Sequence, residues 1–237
     1  MKNSSYPGFS GPVLRLMTAL ILFLPAKQVA AQDVKVVRDL QLWTGAAIEK
    51  KVGKDWTFFL EEQIRFKHNI SEINNFFTEA GAGYRINKNF ALEAAYRYTR
   101  DRKSDSSYES LSRYNLDLRY TGRLDFISLS YRLRYQKEVE GFRLIDQKIP
   151  YEKYLRNRLR INYTGFKKIE PFLSGELFQL FRPDYYAEFE NVRVLGGITY
   201  EMKKLGSLQF AYGFNREINE LEPAMNYLLK VKYSYQF

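Results

Sequence analysis

The chain has 237 residues, of which 37 are lysine or arginine and 27 are aspartate or glutamate, so its formal net charge at pH 7 is +10. It contains no cysteine, which excludes a disulfide framework and a structural zinc site with thiolate ligands. Beyond residue 31 no stretch reaches the roughly 20 apolar residues of a transmembrane helix, and the mean hydropathy of −0.44 is ordinarily typical of a water-soluble protein.

The first 31 residues have the order of a secretory signal peptide. Lys2 and Arg15 precede an apolar run at residues 16–24, and small residues close the segment at 29–31. A positive start, an apolar middle and a small-residue end are typical of a cleaved export signal. The alternative is a retained anchor or a buried helix. We expect cleavage at the end of this segment, which leaves residues 32–237 as one domain with a formal charge of +7, because three cations and no acid are removed.

Because the chain is basic, its cellular compartment decides which anionic partners it can bind. A basic protein inside the cell could bind nucleic acid, whereas an exported one meets anionic lipid head groups and acidic solutes. We therefore expect no nucleic-acid partner. Outer-membrane lipid and anionic solutes are the partners that the charge predicts.

The remaining chain is organised by a period of two, which predicts β-strands with one apolar and one polar face. The clearest strand covers nine residues, 127–135, in which Ile, Leu and Tyr alternate with Ser and Arg. It follows a similar segment after a short connector at 121–125, which predicts a hairpin. In chain order the alternating segments are residues 56–67, 90–98, 113–120, 127–135, 155–163 and 227–237.

Short and longer connectors take turns along the chain, as they do in membrane barrels with short turns on one side and longer loops on the other. The short connectors are residues 87–89, 121–125 and 201–206, and the longer polar ones are 68–74, 101–110, 138–150, 182–188 and 215–223. About eleven strand segments result, but bacterial single-chain barrels have even numbers. A short extra strand near residues 33–37 would give twelve. We predict an all-β, transmembrane, antiparallel up-and-down barrel of 10 to 12 strands, with 12 favoured.

The orientation of the two faces separates a membrane barrel from a soluble, lipocalin-like one, because only the membrane barrel turns its apolar face outward. Tyrosines lie mostly near strand ends, where aromatic girdles contact a membrane interface. The last strand carries Tyr233, Tyr235 and a final Phe237, which resemble the signal that the barrel-assembly machinery reads. The pattern favours a membrane barrel that is assembled by this machinery.

Residues 41–237 also resemble a known family. The segments that carry the resemblance are Leu42-Trp43-Thr44-Gly45, Ile48-Glu49-Lys50-Lys51, residues 60–66, Phe77-Thr78-Glu79-Ala80-Gly81, Ala95-Tyr96-Arg97-Tyr98 and residues 129–135. They are similar to the domain-of-unknown-function 2490 family of bacterial outer-membrane barrels. The resemblance implies an outer-membrane barrel of a Gram-negative bacterium and brings no established activity.

If the apolar face meets lipid, the polar face lines the lumen. The predicted lumen-lining residues are Arg65, Arg85, Arg97, Arg113, Arg119, Arg132, Arg134, Arg156, Arg158, Arg160, Arg193, Glu61, Glu79, Glu93, Asp117 and Glu176. One interpretation is a plug of interlocked arginines and carboxylates in a non-catalytic structural or binding barrel. The alternative is a narrow, porin-like pore that selects acidic solutes or oligosaccharides, since guanidinium groups match carboxylates. Ten to 12 strands permit both.

Catalysis is the least favoured interpretation. His68, the single histidine, lies near Ser71 and Glu72, and a rim-located lipid hydrolase would use such a serine and histidine. Their spacing matches no lipase motif, and we find neither a glycine-rich phosphate loop nor a cluster of metal ligands. We predict no catalytic residues, no metal and no cofactor.

Overall fold

The computed structural model describes residues 35–141, 151–181 and 187–237. These belong to one compact unit, Lys35–Phe237. The predicted signal peptide lies outside the described residues, as do parts of two predicted loops. No helix in the described ranges is long and apolar enough to cross a membrane.

The described residues form eleven long strands, joined by short connectors and one turn of 3₁₀ helix at Lys203–Leu205. The strands are β1 Val37–Val52, β2 Trp56–Lys67, β3 Glu72–Arg85, β4 Phe90–Arg102, β5 Tyr108–Leu124, β6 Ile127–Glu140, β7 Tyr151–Tyr163, β8 Ile169–Phe181, β9 Glu188–Glu201, β10 Ser207–Glu217 and β11 Ala224–Gln236.

The sheet closes on itself, so none of these strands presents a free edge. Consecutive strands pair antiparallel, and β1 pairs parallel with β11, from Val37 opposite Ala224 to Glu49 opposite Gln236. The predicted all-β barrel of 10 to 12 strands is confirmed. The favoured number of 12 is corrected to eleven for the described residues. Lys35 and Val36 form no strand, and the parallel contact lets an odd number of strands close.

The parallel closure places the two ends of the barrel sequence at opposite rims. One rim, called the turn end here, carries the connectors at residues 53–55, 86–89, 125–126, 164–168 and 202–206 together with Phe237. The other, the loop end, carries the connectors at residues 68–71, 103–107 and 218–223 together with the start of β1. The predicted connector at 121–125 is shorter than expected, because β5 continues to Leu124 and Asp125 turns the chain with φ 50°.

Most inward side chains are polar or charged, and most outward ones are large and apolar. On β5, Leu116 is 53% exposed while its neighbour Asp117 is fully buried. The same holds for Tyr135 and Arg134 on β6, the first exposed and the second buried. Because side chains alternate between the faces of a strand, the period of two in the sequence sorts these residues onto opposite surfaces.

Candidate functional site

The barrel interior holds a cavity of about 510 Å³. Fourteen of the sixteen predicted lumen residues line it: Arg65, Arg97, Arg113, Arg119, Arg132, Arg134, Arg156, Arg158, Arg160, Arg193, Glu61, Glu79, Glu93 and Glu176. Asp117 is buried and bonded to arginines beside the cavity. Arg85 does not line the cavity, which corrects the prediction for this residue. It follows the same alternation as Glu79, but it is the last residue of β3, at the turn end, and its side chain is exposed.

Asp117 on β5 is the centre of the first charge network. Its register partner Arg134 donates from Nε to Oδ1 at 2.6 Å and from Nη2 to Oδ2 at 2.8 Å. Arg132 and Arg119 approach the same carboxylate at 3.8 Å and 3.4 Å. Arg119 also donates to Glu93 at 2.6 Å. A carboxylate without solvent contact is stable only with such partners, so this network ties together β4, β5 and β6.

Glu176 on β8 is the centre of the second network. Arg132 donates to its Oε1 at 2.5 Å and Arg156 at 2.9 Å, while Arg193 lies 3.6 Å from Oε2. Arg156 also donates to Gln136 at 2.9 Å. Since Arg132 contacts both carboxylates, it joins the two networks, and together they cross-link β4 to β9.

Other ion pairs connect further strands of the barrel wall. Arg97 donates to Glu79 at 2.7 Å, and Asn115 donates to the same carboxylate oxygen at 3.1 Å. Arg113 pairs with Glu138, and Lys232 donates to Glu61 at 2.5 Å. Much of the interior charge is therefore neutralised by partners on adjacent strands or on the next strand but one.

Aromatic rings lie between the guanidinium groups and were not part of the sequence prediction. Phe77 lies under Arg97 at 3.6 Å and Arg65 at 5.0 Å, measured from the guanidinium carbon to the ring centroid. Trp43 lies between Arg65 at 4.1 Å and Arg193 at 4.8 Å.

Phe178 completes this arrangement between Arg193 at 4.7 Å and Arg156 at 4.3 Å. The result is a continuous arginine–aromatic stack of seven residues, contributed by β4, β3, β2, β1, β9, β8 and β7. Each contact has cation–π geometry. The signal in the sequence was that Trp43, Phe77 and Phe178 occupy inward positions of their strands, where polar residues were expected.

At the loop end, His68 contacts Glu72 at 2.6 Å through Nδ1. The hydroxyl of Ser71 donates to the backbone carbonyl of His68 at 2.6 Å. The three residues of the hydrolase interpretation are thus neighbours in an exposed turn, with the serine hydrogen bonded to the main chain. Among the described residues no three His, Cys, Asp or Glu side chains group as metal ligands.

The three residues of the predicted assembly signal lie on the outer face near the turn end. Tyr233 donates to the carbonyl of Leu205 at 2.7 Å, and the rings of Tyr235 and Phe237 stack at 6.0 Å. The amide of Phe237 donates to the carbonyl of Glu49 at 3.0 Å. The last residue thus takes part in the parallel seam that closes the barrel.

Comparison with known proteins gives one match. No curated protein and no solved structure matches the chain. A family model described as "Protein of unknown function (DUF2490)" matches residues 40–222, which spans β1 to β10 and the connector after it. This match covers most of the barrel and confirms the resemblance found in the sequence, so the chain belongs to the DUF2490 family.

Proposed function

We propose that this chain is a non-catalytic barrel of the bacterial outer membrane, with a structural or binding role and an arginine-rich lumen. The observation that carries the proposal is the inverted distribution of side chains. Large apolar residues around the exterior are exposed, including Leu116 at 53%, Leu173 at 57% and Tyr212 at 55%. A soluble protein rarely exposes a contiguous apolar surface of this extent, whereas a membrane barrel requires one.

Aromatic pairs at both ends of the apolar surface support a membrane position. At the turn end, Trp56 packs on Tyr84 at 5.0 Å and Phe90 on Tyr120 at 5.1 Å. Towards the loop end, Phe76 packs on Tyr108 at 5.9 Å, whereas the pair of Tyr96 with Tyr114, at 5.3 Å, lies in the middle of β4 and β5. Two such girdles are expected where a barrel meets the two membrane–water interfaces.

The braced interior favours a closed barrel over an open channel. An eight-stranded barrel is just filled by side chains, whereas one of sixteen strands leaves an aqueous channel. Here eleven strands direct long arginines and several large rings inward, and the ion pairs of Asp117 and Glu176 hold the neighbouring arginines in place. The arrangement suits a barrel that stabilises the membrane or binds a solute more than one that conducts ions.

A narrow anion-selective pore remains the second candidate, because cations outnumber acids in the cavity wall. Twelve lysines and arginines line it against seven glutamates. Such an excess would attract acidic solutes and repel cations. A rim-located hydrolase has less support, since the Ser71 hydroxyl donates to the carbonyl of His68 rather than to its ring.

Single-channel recording across a planar bilayer separates the first two candidates. The closed barrel predicts no steady current from folded, inserted protein. Steady steps with anion selectivity, weakened when Arg132, Arg134 and Arg158 become Ser, would establish the pore instead.

Membrane orientation has its own test, with single cysteines at Leu129 and Ser130. Leu129 is exposed on the outer face, and Ser130 is the next residue with the opposite orientation. We expect Leu129→Cys to react only with lipid-soluble reagents and Ser130→Cys with aqueous ones. The reverse pattern would overturn the membrane position.

A further inference from the structure

Three arginines form a row across the inner wall. Arg119 on β5 is the direct register partner of Arg132 on β6, which is in turn the register partner of Arg158 on β7. All three line the cavity. Like charges directly opposite each other on one face of a sheet destabilise it, so this arginine row needs compensating negative charge.

The protein supplies only part of that charge. Arg119 has Glu93 and Arg132 has Glu176 as ion-pair partners at 2.6 Å and 2.5 Å. Asp117 lies farther from both, at 3.4 Å and 3.8 Å, and is bonded mainly to Arg134. Arg158 has no ion pair within the described ranges, although Glu176 is its register partner on β8. That carboxylate already pairs with three other arginines. One charge cannot neutralise four guanidinium groups.

Hydrogen-bond donors in the row are also left without acceptors. The Nε atoms of Arg119 and Arg132 are buried and bond to no group among the described residues. Arg132 is only 6% exposed, so its Nε faces the interior rather than bulk water. Buried donors of charged groups are costly to leave unpaired, so they add to the cost of placing these like charges side by side.

A further cation stands on another part of the same wall. Lys230 on β11 lines the cavity and has no ion pair in the described part of the chain. The nearest charges that act on it are those of Lys232, Glu61, Arg158 and Arg65, three of which are also positive. Arg158 on β7 and Lys230 on β11, which form no ion pair with other described residues, therefore face the same cavity.

We propose that the arginine row and Lys230 bind a small oxyanion, a solute that carries carboxylate or phosphate groups. The two parallel N–H donors of a guanidinium match two oxygens of such a group better than they match a spherical ion such as chloride. A cavity of about 510 Å³ has the size of a small-molecule site. The inference deepens the binding role in the proposed function and rests on it only in treating the cavity as open to water.

Isothermal titration calorimetry of the full, folded barrel in detergent tests this site. The probes are citrate and inorganic phosphate, each compared with sodium chloride at equal ionic strength. We expect saturable binding of at least one probe and none of chloride. Arg158→Gln should weaken that binding by tenfold or more. Arg158→Lys should also weaken it, because the ammonium group keeps the charge but lacks the paired N–H donors of a guanidinium.

Arg85→Gln is the matched control, because it removes the same charge at an exposed position outside the cavity. It should bind the probe as the parent protein does. Equal binding by the parent and Arg158→Gln, or equal weakening by Arg85→Gln, would overturn the site. Binding of citrate alone, of phosphate alone or of both supports it and identifies the preferred group.

Thermal unfolding distinguishes a ligand site from a structural role. Without probe, Arg158→Gln should unfold at the same or a higher temperature than the parent, because it removes an unpaired cation from the row. With the probe, the midpoint of the parent should rise and that of Arg158→Gln should not. A midpoint of Arg158→Gln that falls without probe and rises with it would refute the proposal.

Different results would refute the anion site and the membrane position. Protein that binds citrate but shows water-accessible labelling at Leu129→Cys would retain the site and lose the membrane role. Protein that shows the lipid pattern but no saturable anion binding would retain the membrane role and lose the site.

Discussion

Arg134 and Asp117 face each other across β5 and β6, and the guanidinium donates to both carboxylate oxygens, at 2.6 Å and 2.8 Å. The carboxylate is fully buried. This bidentate ion pair holds the Asp117 carboxylate where the side chains of Arg119 and Arg132 also approach it. Loss of this single negative charge therefore affects three arginines at once.

Asp117→Asn should lower the free energy of unfolding by about 3–5 kcal/mol, the usual cost of breaking a buried ion pair by removing one partner. Denaturant unfolding of the barrel in lipid vesicles measures this. Asp55→Asn, at an exposed position in the first connector of the turn end, is the control and should change little. If the two variants unfold alike, the interior network does not stabilise the barrel.

A charge on the outer face tests the lipid contact through stability. Leu116→Arg should cost about 2–4 kcal/mol in vesicles, as an arginine does on the lipid face of a barrel near the bilayer midplane. Leu205→Arg, in the 3₁₀ turn at the turn end, serves as the control and should cost much less, because Leu205 lies beyond the strands. Since Leu116 is already exposed, a nearly neutral Leu116→Arg would show that this face meets water.

The arginine–aromatic stack predicts a specific effect at its only tryptophan. Trp43→Ala should lower the free energy of unfolding by about 3–5 kcal/mol, because it removes a large buried ring that separates Arg65 from Arg193. Trp43→Phe should retain most of the stability by keeping a ring there. Trp56→Ala, at an outward and half-exposed tryptophan, is the comparison for unfolding.

The same variant tests whether the stack helps to close the lumen. Trp43→Ala should show more ion leakage across a planar bilayer than the parent, and Trp43→Phe should not. Leakage that is identical in all three proteins would show that other side chains close the barrel.

The sequence predicted which residues share a face, because a strand repeats every two residues and Asp117 and Arg134 both stand at polar positions. The count of about eleven segments was correct, but the expectation of an even number favoured 12, since closure through a parallel contact of β1 with β11 depends on register between the two ends of the chain. The inward rings escaped prediction for a related reason. Trp43 and Phe77 look apolar in isolation, and only the register shows that they stack between arginines.

Arg85 shows the limit of the period of two. Its inward position was correctly inferred from the alternation, but the strand ends there, and no neighbouring wall covers the side chain. Similarly, the three carboxylates Glu93, Asp117 and Glu176 were identified as inward, yet their unequal number of arginine partners appears only when the strands are aligned. That Arg158 forms no ion pair with another described residue follows from this alignment and from nothing in its local sequence.

The C-terminal phenylalanine offers a prediction that separates assembly from stability. Phe237 is about half exposed, and its amide reaches Glu49 in the seam between β1 and β11. Because backbone bonds survive the change and little apolar area is lost, Phe237→Ala should cost the refolded barrel only about 1 kcal/mol. If the assembly machinery reads the ring, the amount of folded barrel in the outer membrane of expressing cells should fall several-fold. Phe166→Ala, another exposed ring at the turn end, should leave that amount unchanged. Equal yields of all three proteins in the membrane would mean that Phe237 serves the seam and carries no assembly signal.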